Sequence, residues 1–275
     1  KTPLVRRLTL TDFRSYAQAD CVIETKLVAL MGENGAGKTN ILEALSMYSP
    51  GRGLRRAELT ECARHAGAGG FSVSIQLEMQ DGVSQLGHSL SLEGERRFRI
   101  DRAPISSARA FADHLRVLWL TPAMDGLFSG SAGERRRFLD RLTLGVDADH
   151  GPRVSRMERA LRNRNKLLET GVADRGWLDA AENEIASLGV AVAAGRRETV
   201  LRLSAIAAKG EEGPFPWAEI AIEGEIENLL AHQSALVVEE GFRQQLAASR
   251  KRDAAAGRTL CGPQTSDLVV RHGPK

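Results

Sequence analysis

The chain has 275 residues, 42% of them hydrophobic and 27% charged, with a formal net charge of +3. That apolar share excludes global disorder, and the length allows one core, or a core with a second lobe. The longest uninterrupted apolar run is Leu27-Val28-Ala29-Leu30-Met31, too short to cross a bilayer. No signal-peptide pattern opens the chain, and Lys1 stands where an initiator Met belongs, which reads as a trimmed start.

Cys21, Cys62 and Cys261 are odd in number and scattered. They read as free thiols in a reducing compartment, and a cytoplasmic protein is expected. Cys62-x-x-His65 has ligand spacing, yet no second pair completes a tetrahedral zinc site. The small positive charge permits a nucleic-acid partner without requiring one, because binding follows local clusters. Lysines are few and arginines abundant. A GC-rich genome gives that bias, and so does a need for planar phosphate-gripping forks.

Residues 4–10, 21–23 and 27–31 read as strands separated by short polar breaks. Ile41, Leu42, Leu45 and Met47 then give a helical face that stops at Pro50-Gly51. Clean alternation over 71–79 marks a half-buried strand. Segments 88–92 and 97–100 continue in that style around the turn signals Asp81-Gly82 and Glu93-Gly94. A largely antiparallel sheet is predicted beside the strand that precedes residue 32.

From 134 to 210 the spacing predicts helices. Val154, Met157, Leu161 and Leu168 form a stripe with arginines on the other faces, and an Ala-rich run from Trp177 to Ile206 follows. Gly210 to Pro216 breaks the helical part. Leu236-Val237-Val238 is predicted as a short strand, 242–256 as a helix and 268–270 as a last strand. No internal repeat or heptad array is present. Basic residues dominate 135–166 and 243–275, with an acidic block between, and make a binding surface only if the two basic stretches meet.

One motif carries chemistry. Gly32-Glu33-Asn34-Gly35-Ala36-Gly37-Lys38-Thr39 satisfies G-x-x-x-x-G-K-[ST] between a predicted strand and a predicted helix. Such a loop turns successive N–H groups toward phosphate oxygens, and the helix N-terminus adds partial positive charge. Lys38 would reach the β/γ-phosphates and the Thr39 hydroxyl would ligate Mg²⁺. Hydrolysis also needs a carboxylate at a strand end. The nearest candidate is Leu236-Val237-Val238-Glu239-Glu240, inside the accessory region. Leu127 to Arg135 superficially mimics an ABC signature, against a local turn with a helix cap.

Leu8-Thr-Leu-Thr-Asp-Phe-Arg-Ser-Tyr16 followed by the Gly32–Leu45 segment resembles the RecF family of ABC/SMC-like repair and replication proteins. Ser49–Arg55, Arg135–Asp140, Arg162–Leu168, Gly257–Pro263 and Ser266–Leu268 extend the resemblance along the chain. It implies an α/β, ABC/SMC-type P-loop ATPase head with mixed and antiparallel sheet and an inserted helical second lobe. Residues 1–130 would form the head, 131–250 the helical lobe and 251–275 a return to the head. It further implies binding of ATP and Mg²⁺, an ATP-dependent homodimer, and weak DNA-stimulated ATPase activity in the complete family protein. DNA, RecR and RecO are the implied partners, with RecA loaded at single-stranded gaps. Arg52, Arg55, Arg56, Arg135, Arg136 and Arg156 are the candidate DNA contacts.

Three departures stand beside the likeness. The family's signature and Asp-Glu strand would follow the Ser266-Asp267-Leu268 segment, so the chain reads as C-terminally shortened. Gln264-Thr265 replaces the family's usual cations after Gly-Pro, and Ala123 stands where a Glu is usual. An SMC-type head is disfavoured by the missing heptad arms. A non-DNA ABC-type ATPase is disfavoured by Phe13-Arg14 and the helical insert. A degenerate P-loop serving as an interaction module is the remaining alternative.

Overall fold

Period-two alternation drives the first part of the chain into one antiparallel sheet. The structure is a computed structural model and describes residues 3–49, 51, 53–171, 175–210 and 217–273. Strands β1 (Leu4–Phe13) and β2 (Tyr16–Val22) precede helices α1 (Lys38–Ser46) and α2 (Leu59–Cys62). Strands β3 (Phe71–Met79), β4 (Gly82–Leu90), β5 (Arg96–Ile100) and β6 (Ala103–Ile105) follow. The six strands lie in the order β2-β1-β3-β4-β5-β6, every pair antiparallel.

Alternate residues set the two faces. Leu8, Leu10, Val73, Ile75, Leu77 and Leu86 are buried in one core with Ala44, Met47 and Tyr48 from the end of α1. The Tyr48 hydroxyl reaches the carbonyls of Val73 (2.9 Å) and Leu86 (3.1 Å), so α1 is pinned across the β3–β4 ladder. His88 faces the same core, stacked on Phe98 at 4.8 Å and edge-on to Phe71.

The predicted strand at 27–31 does not form. Leu27 is 89% and Met31 90% exposed. A strand exists through its ladder bonds, and residues 27–31 pair with none of the strands of this sheet. The sheet is antiparallel throughout, as largely expected, and among the described residues it lacks the strand predicted before residue 32.

Residues 120–275 form a second compact unit, distinct from residues 1–119. It contains α3 (Ala132–Leu144), α4 (His150–Thr170), α5 (Arg175–Ala207), β7 (Ala218–Glu223), α6 (Glu225–Leu229), α7 (Ala235–Ala256) and β8 (Asp267–His272). Ser131 and Glu134 make a reciprocal capping box at the start of α3. The signature-like stretch 127–135 is thus a turn and a cap. Leu236-Val237-Val238 is the first turn of α7, not a strand. Three apolar residues cannot distinguish the two periods, and Val238 is buried while Leu236 points to solvent. Glu239 and Glu240 consequently lie on a helix, where Glu240 accepts from Arg243. Strand β7, absent from the sequence reading, pairs antiparallel with β8 from Ala218↔His272 to Glu223↔Asp267. Of residues 251–275, expected to return to the head, those of β8 join this second unit through that ribbon.

The helices are joined by buried arginines. Arg164 is 0% exposed. It donates to Glu182 (3.0 Å), Asp253 (2.9 Å), the Thr259 hydroxyl (2.8 Å) and the Leu246 carbonyl (2.7 Å). Asn165 accepts from the Thr259 amide and hydroxyl. Arg196 on α5 forks onto Asp140 of α3 at 2.8 and 3.0 Å and reaches the Pro263 carbonyl at 2.6 Å. Burial alone would raise the Asp140 carboxyl, but bonds from His150 and Arg196 bring it below its usual value. Removing one member of such a set strands the others without water.

Arg164→Met should therefore cost about 3–5 kcal/mol, read from the urea midpoint; a loss within about 0.5 kcal/mol would contradict the network's role. Burial lowers the His88 imidazole from 6.5 to about 4, with the Arg96 charge adding to it. The unfolded chain then binds the proton first as pH falls. The contribution of neutral His88 is full above pH 6.5 and declines down to about pH 4, by about 3 kcal/mol in all. His88→Leu should flatten the stability-against-pH curve in that window, measured by urea titrations at several pH values.

Candidate nucleotide-binding site

Three glycines bend the loop between residue 31 and α1. Gly32, Gly35 and Gly37 have φ of +149°, +90° and +92°. Gly37 is the position where only glycine fits: a Cβ there would lie 2.5 Å from the Tyr16 hydroxyl oxygen, in a left-handed conformation. Gly37 caps α1, whose first residues Lys38 and Thr39 carry N–H groups without intrahelical acceptors. The Lys38 ammonium bonds the carbonyls of Gly32 and Glu33, both at 2.7 Å, and so spans the mouth of the loop. Open amides, a helix N-terminus and a tethered lysine fit a polyphosphate. Thr39 is exposed at the helix start, where its hydroxyl could serve a cation. Glu33, Asn34 and Ala36 complete the loop, with Ala36 N–H bonded to Glu33 at 3.2 Å.

The tip of the β1–β2 hairpin holds this loop from the side. Phe13 pairs with Tyr16, leaving Arg14-Ser15 as a two-residue turn. Tyr16 Oη lies 3.4 Å from the Ala36 carbonyl, and Ser15 Oγ accepts from Asn40 at 2.9 Å. Arg14 forks onto Glu43 at 2.9 and 2.6 Å and also bonds the Glu61 carbonyl. Hydrogen bonding to Glu43 raises the Arg14 guanidinium above its ordinary value. Glu43 is 3% exposed and takes a second cation, Arg55, at 2.8 Å.

An AAA domain family model matches residues 7–98, which hold the loop and most of the six-stranded sheet. The DNA replication and repair protein RecF of Mesorhizobium japonicum is 49% identical over 98% of this chain and 73% of its own length. The RecF of Allorhizobium ampelinum is 50% identical over the same shares. The chain belongs to the RecF family. A solved structure of the recombination mediator protein RecF-ATPrS superposes with a TM-score of 0.85 at 18% identity, over 98% of this chain and 74% of that one. The RecF fold, an ABC/SMC-type P-loop ATPase head with a helical lobe, is therefore the fold of this chain.

The motifs of the RecF resemblance serve the second unit as structural ties. Arg135 forks onto Asp267, both bonds 2.7 Å, and bonds the Gly130 carbonyl at 2.6 Å. That fork holds the Asp267 carboxyl below its usual value. Arg136 bonds the Ser266 carbonyl at 2.7 Å, and burial lowers its guanidinium. Among the other candidate DNA contacts, Arg55 is engaged with Glu43 and with Asn40 at 2.9 Å. Arg156 is exposed and lies 3.2 Å from Glu184, and Arg56 is exposed with φ +56°. Arg52 lies outside the described residues. Gln264 bonds the Cys261 carbonyl within a short 3-10 turn. Among the described residues no group of acidic, His and Cys side chains could hold a metal by itself.

Sequence reasoning missed the supporting residues, Arg14, Ser15, Tyr16 and Glu43. The available signal was a polar break, Arg14-Ser15, inside an alternating strand pattern. Glu43→Ala would leave Arg14 and Arg55 without their shared carboxylate. It should cost about 3–5 kcal/mol and blunt nucleotide binding, whereas Arg55→Ala should cost less because Arg55 is half-exposed; paired urea melts of the two variants check the order.

Proposed function

We propose that the chain binds Mg-ATP at residues 32–39 and acts as a DNA-binding recombination mediator of the RecF type, in repair and replication. Lys38 and the loop amides hold the polyphosphate, and the Thr39 hydroxyl supplies the protein's ligand to Mg²⁺. The observation that carries this reading is the cradle itself: left-handed glycines, open amides at the start of α1 and Lys38 tethered across the loop. Relatives named DNA replication and repair protein RecF, and a solved RecF-ATP structure, support it. In this reading the protein works in the cytoplasm with RecR and RecO to help load RecA at gapped DNA, and the complete protein dimerises around ATP. ATP binding, more than turnover, is what residues 32–39 carry. No helix among the described residues is long and apolar enough to cross a membrane.

Melting the protein with Mg-ATP tests the cradle. At a hundredfold excess over Kd the ligand should stabilise by about 2.7 kcal/mol, and Lys38→Ala should abolish that gain without changing the apo melt. Thr39→Ala should weaken Mg²⁺ dependence more than nucleotide affinity. A Lys38→Ala protein stabilised like the wild type would sink the proposal.

A further inference from the structure

The side of the six-stranded sheet that turns away from the core is built for close approach. Its cross-strand rows follow from the register: Thr9 opposes Ser74, Ser74 opposes Gly87 and Gly87 opposes Arg99. In the next row Thr11 opposes Ser72, Ser72 opposes Ser89 and Ser89 opposes Arg97. Solvent-facing strand positions commonly carry long charged side chains. Here three strands, β1, β3 and β4, present small hydroxyl residues and a glycine, and both rows reach an arginine on β5. The surface depression over this face has a cavity volume of about 500 Å³ and is lined by Ser72, Ser74, Ser89, Arg97, Arg99 and Arg102.

The third arginine is placed by a turn. Ile100 pairs with Ala103, so Asp101-Arg102 is a two-residue hairpin loop, with φ of +48° and +71°. Both angles are those of a type I′ turn, which prefers Asn or Gly. The Asp101 carboxylate accepts from the Gln85 amide (2.6 Å) and the Ser84 hydroxyl (2.9 Å). These bonds fix the turn that carries Arg102, and they lower the Asp101 carboxyl.

Arg99 and Arg102 have no ion pair among the described residues, and Arg97 has only the exposed Glu95 at 3.1 Å. On the far edge of the same face Asp20 is already matched by Arg7. The positive charge thus gathers on β5 and at the β5–β6 turn, beside hydroxyl donors.

We infer that, given the DNA binding proposed above, this hydroxyl-lined face with Arg97, Arg99 and Arg102 is where the chain takes the phosphate backbone of DNA. Arg97 and Arg99 are about 6.7 Å apart along one strand. That is twice the roughly 3.4 Å axial spacing of charges along one DNA strand. Serine and threonine hydroxyls supply the neutral donors that phosphate contacts use, and such contacts position a duplex without reading its sequence. An open face suits a rod better than it suits a small anion, which needs enclosure. No base-reading element is present on it, so binding here is independent of sequence.

The test compares wild type with Arg99→Glu/Arg102→Glu and with Arg99→Lys/Arg102→Lys. Binding of a fluorescein-labelled duplex is followed against salt, with and without Mg-ATP. The glutamate variant should lose at least about tenfold in affinity, and its log–log salt slope should become shallower by about 2. The lysine variant should keep the slope, and both should keep the wild-type melt and its Mg-ATP stabilisation. Wild-type affinity and slope in the glutamate variant would overturn the assignment, leave DNA binding intact and hand this face to an acidic protein partner. No DNA binding by the wild type would overturn the DNA reading and this site together.

Discussion

Glu43 is the carboxylate on which the nucleotide loop depends. A nine-residue helix is too short to hold itself, and a glycine-rich loop gives it no stiffness. Placement has to come from tertiary contacts at both ends of α1. At the far end, Tyr48 bonds two strand carbonyls across the sheet. At the near end, Glu43 takes the Arg14 fork from the hairpin tip, while Ser15 and Tyr16 abut Asn40 and Ala36. The loop is preorganised by side chains that need not touch a phosphate. Two guanidinium groups on one buried carboxylate cost desolvation. That cost is offset because every oxygen is hydrogen-bonded and the geometry is forked.

The second unit uses the same chemistry on a larger scale. Arg164, Arg196 and Arg250 each tie a helix to one or more others through carboxylates on neighbouring elements. Arginine suits this role because its planar fork binds carboxylates bidentately and it never loses its charge. The Arg135–Asp267 fork brings together two segments far apart in the chain, the start of α3 and the first residue of β8.

Much of the site was legible because local rules and tertiary structure agree there. The phosphate loop has fixed spacing, β3 alternates over nine residues, and α7 stops at Gly257 in the left-handed conformation, as a helix C-terminus should. Failures came where a local pattern depends on a distant partner. Residues 27–31 are apolar enough for a strand, yet a strand needs a ladder. Residues 236–238 are apolar too, yet they open a helix in which Val238, Phe242 and Leu246 are buried at helical spacing. Strand β7 alternates clearly, but its acidic flanks disguised it as a solvated stretch. No spacing rule announces that Arg164 will be fully buried, 0% exposed; its partners lie up to 95 residues away.

The arginines divide according to what they touch, and composition could not make that division. Arg135, Arg136 and Arg55 sit in basic clusters of the sequence, which is what suggested DNA, yet each spends its donors on the protein's own carboxylates and carbonyls. An internal fork holds the guanidinium at fixed geometry, so a phosphate would have to compete with a carboxylate already in place. Arg99 and Arg102 belong to another run of arginines, 96, 97, 99 and 102, which the sequence reading passed over. They stand on β5 and on the turn that joins it to β6, open to solvent, over a depression also lined by Ser72, Ser74 and Ser89. A charge that the fold leaves unmatched is the one available to a partner, because only it gains a counter-charge on binding without first losing one.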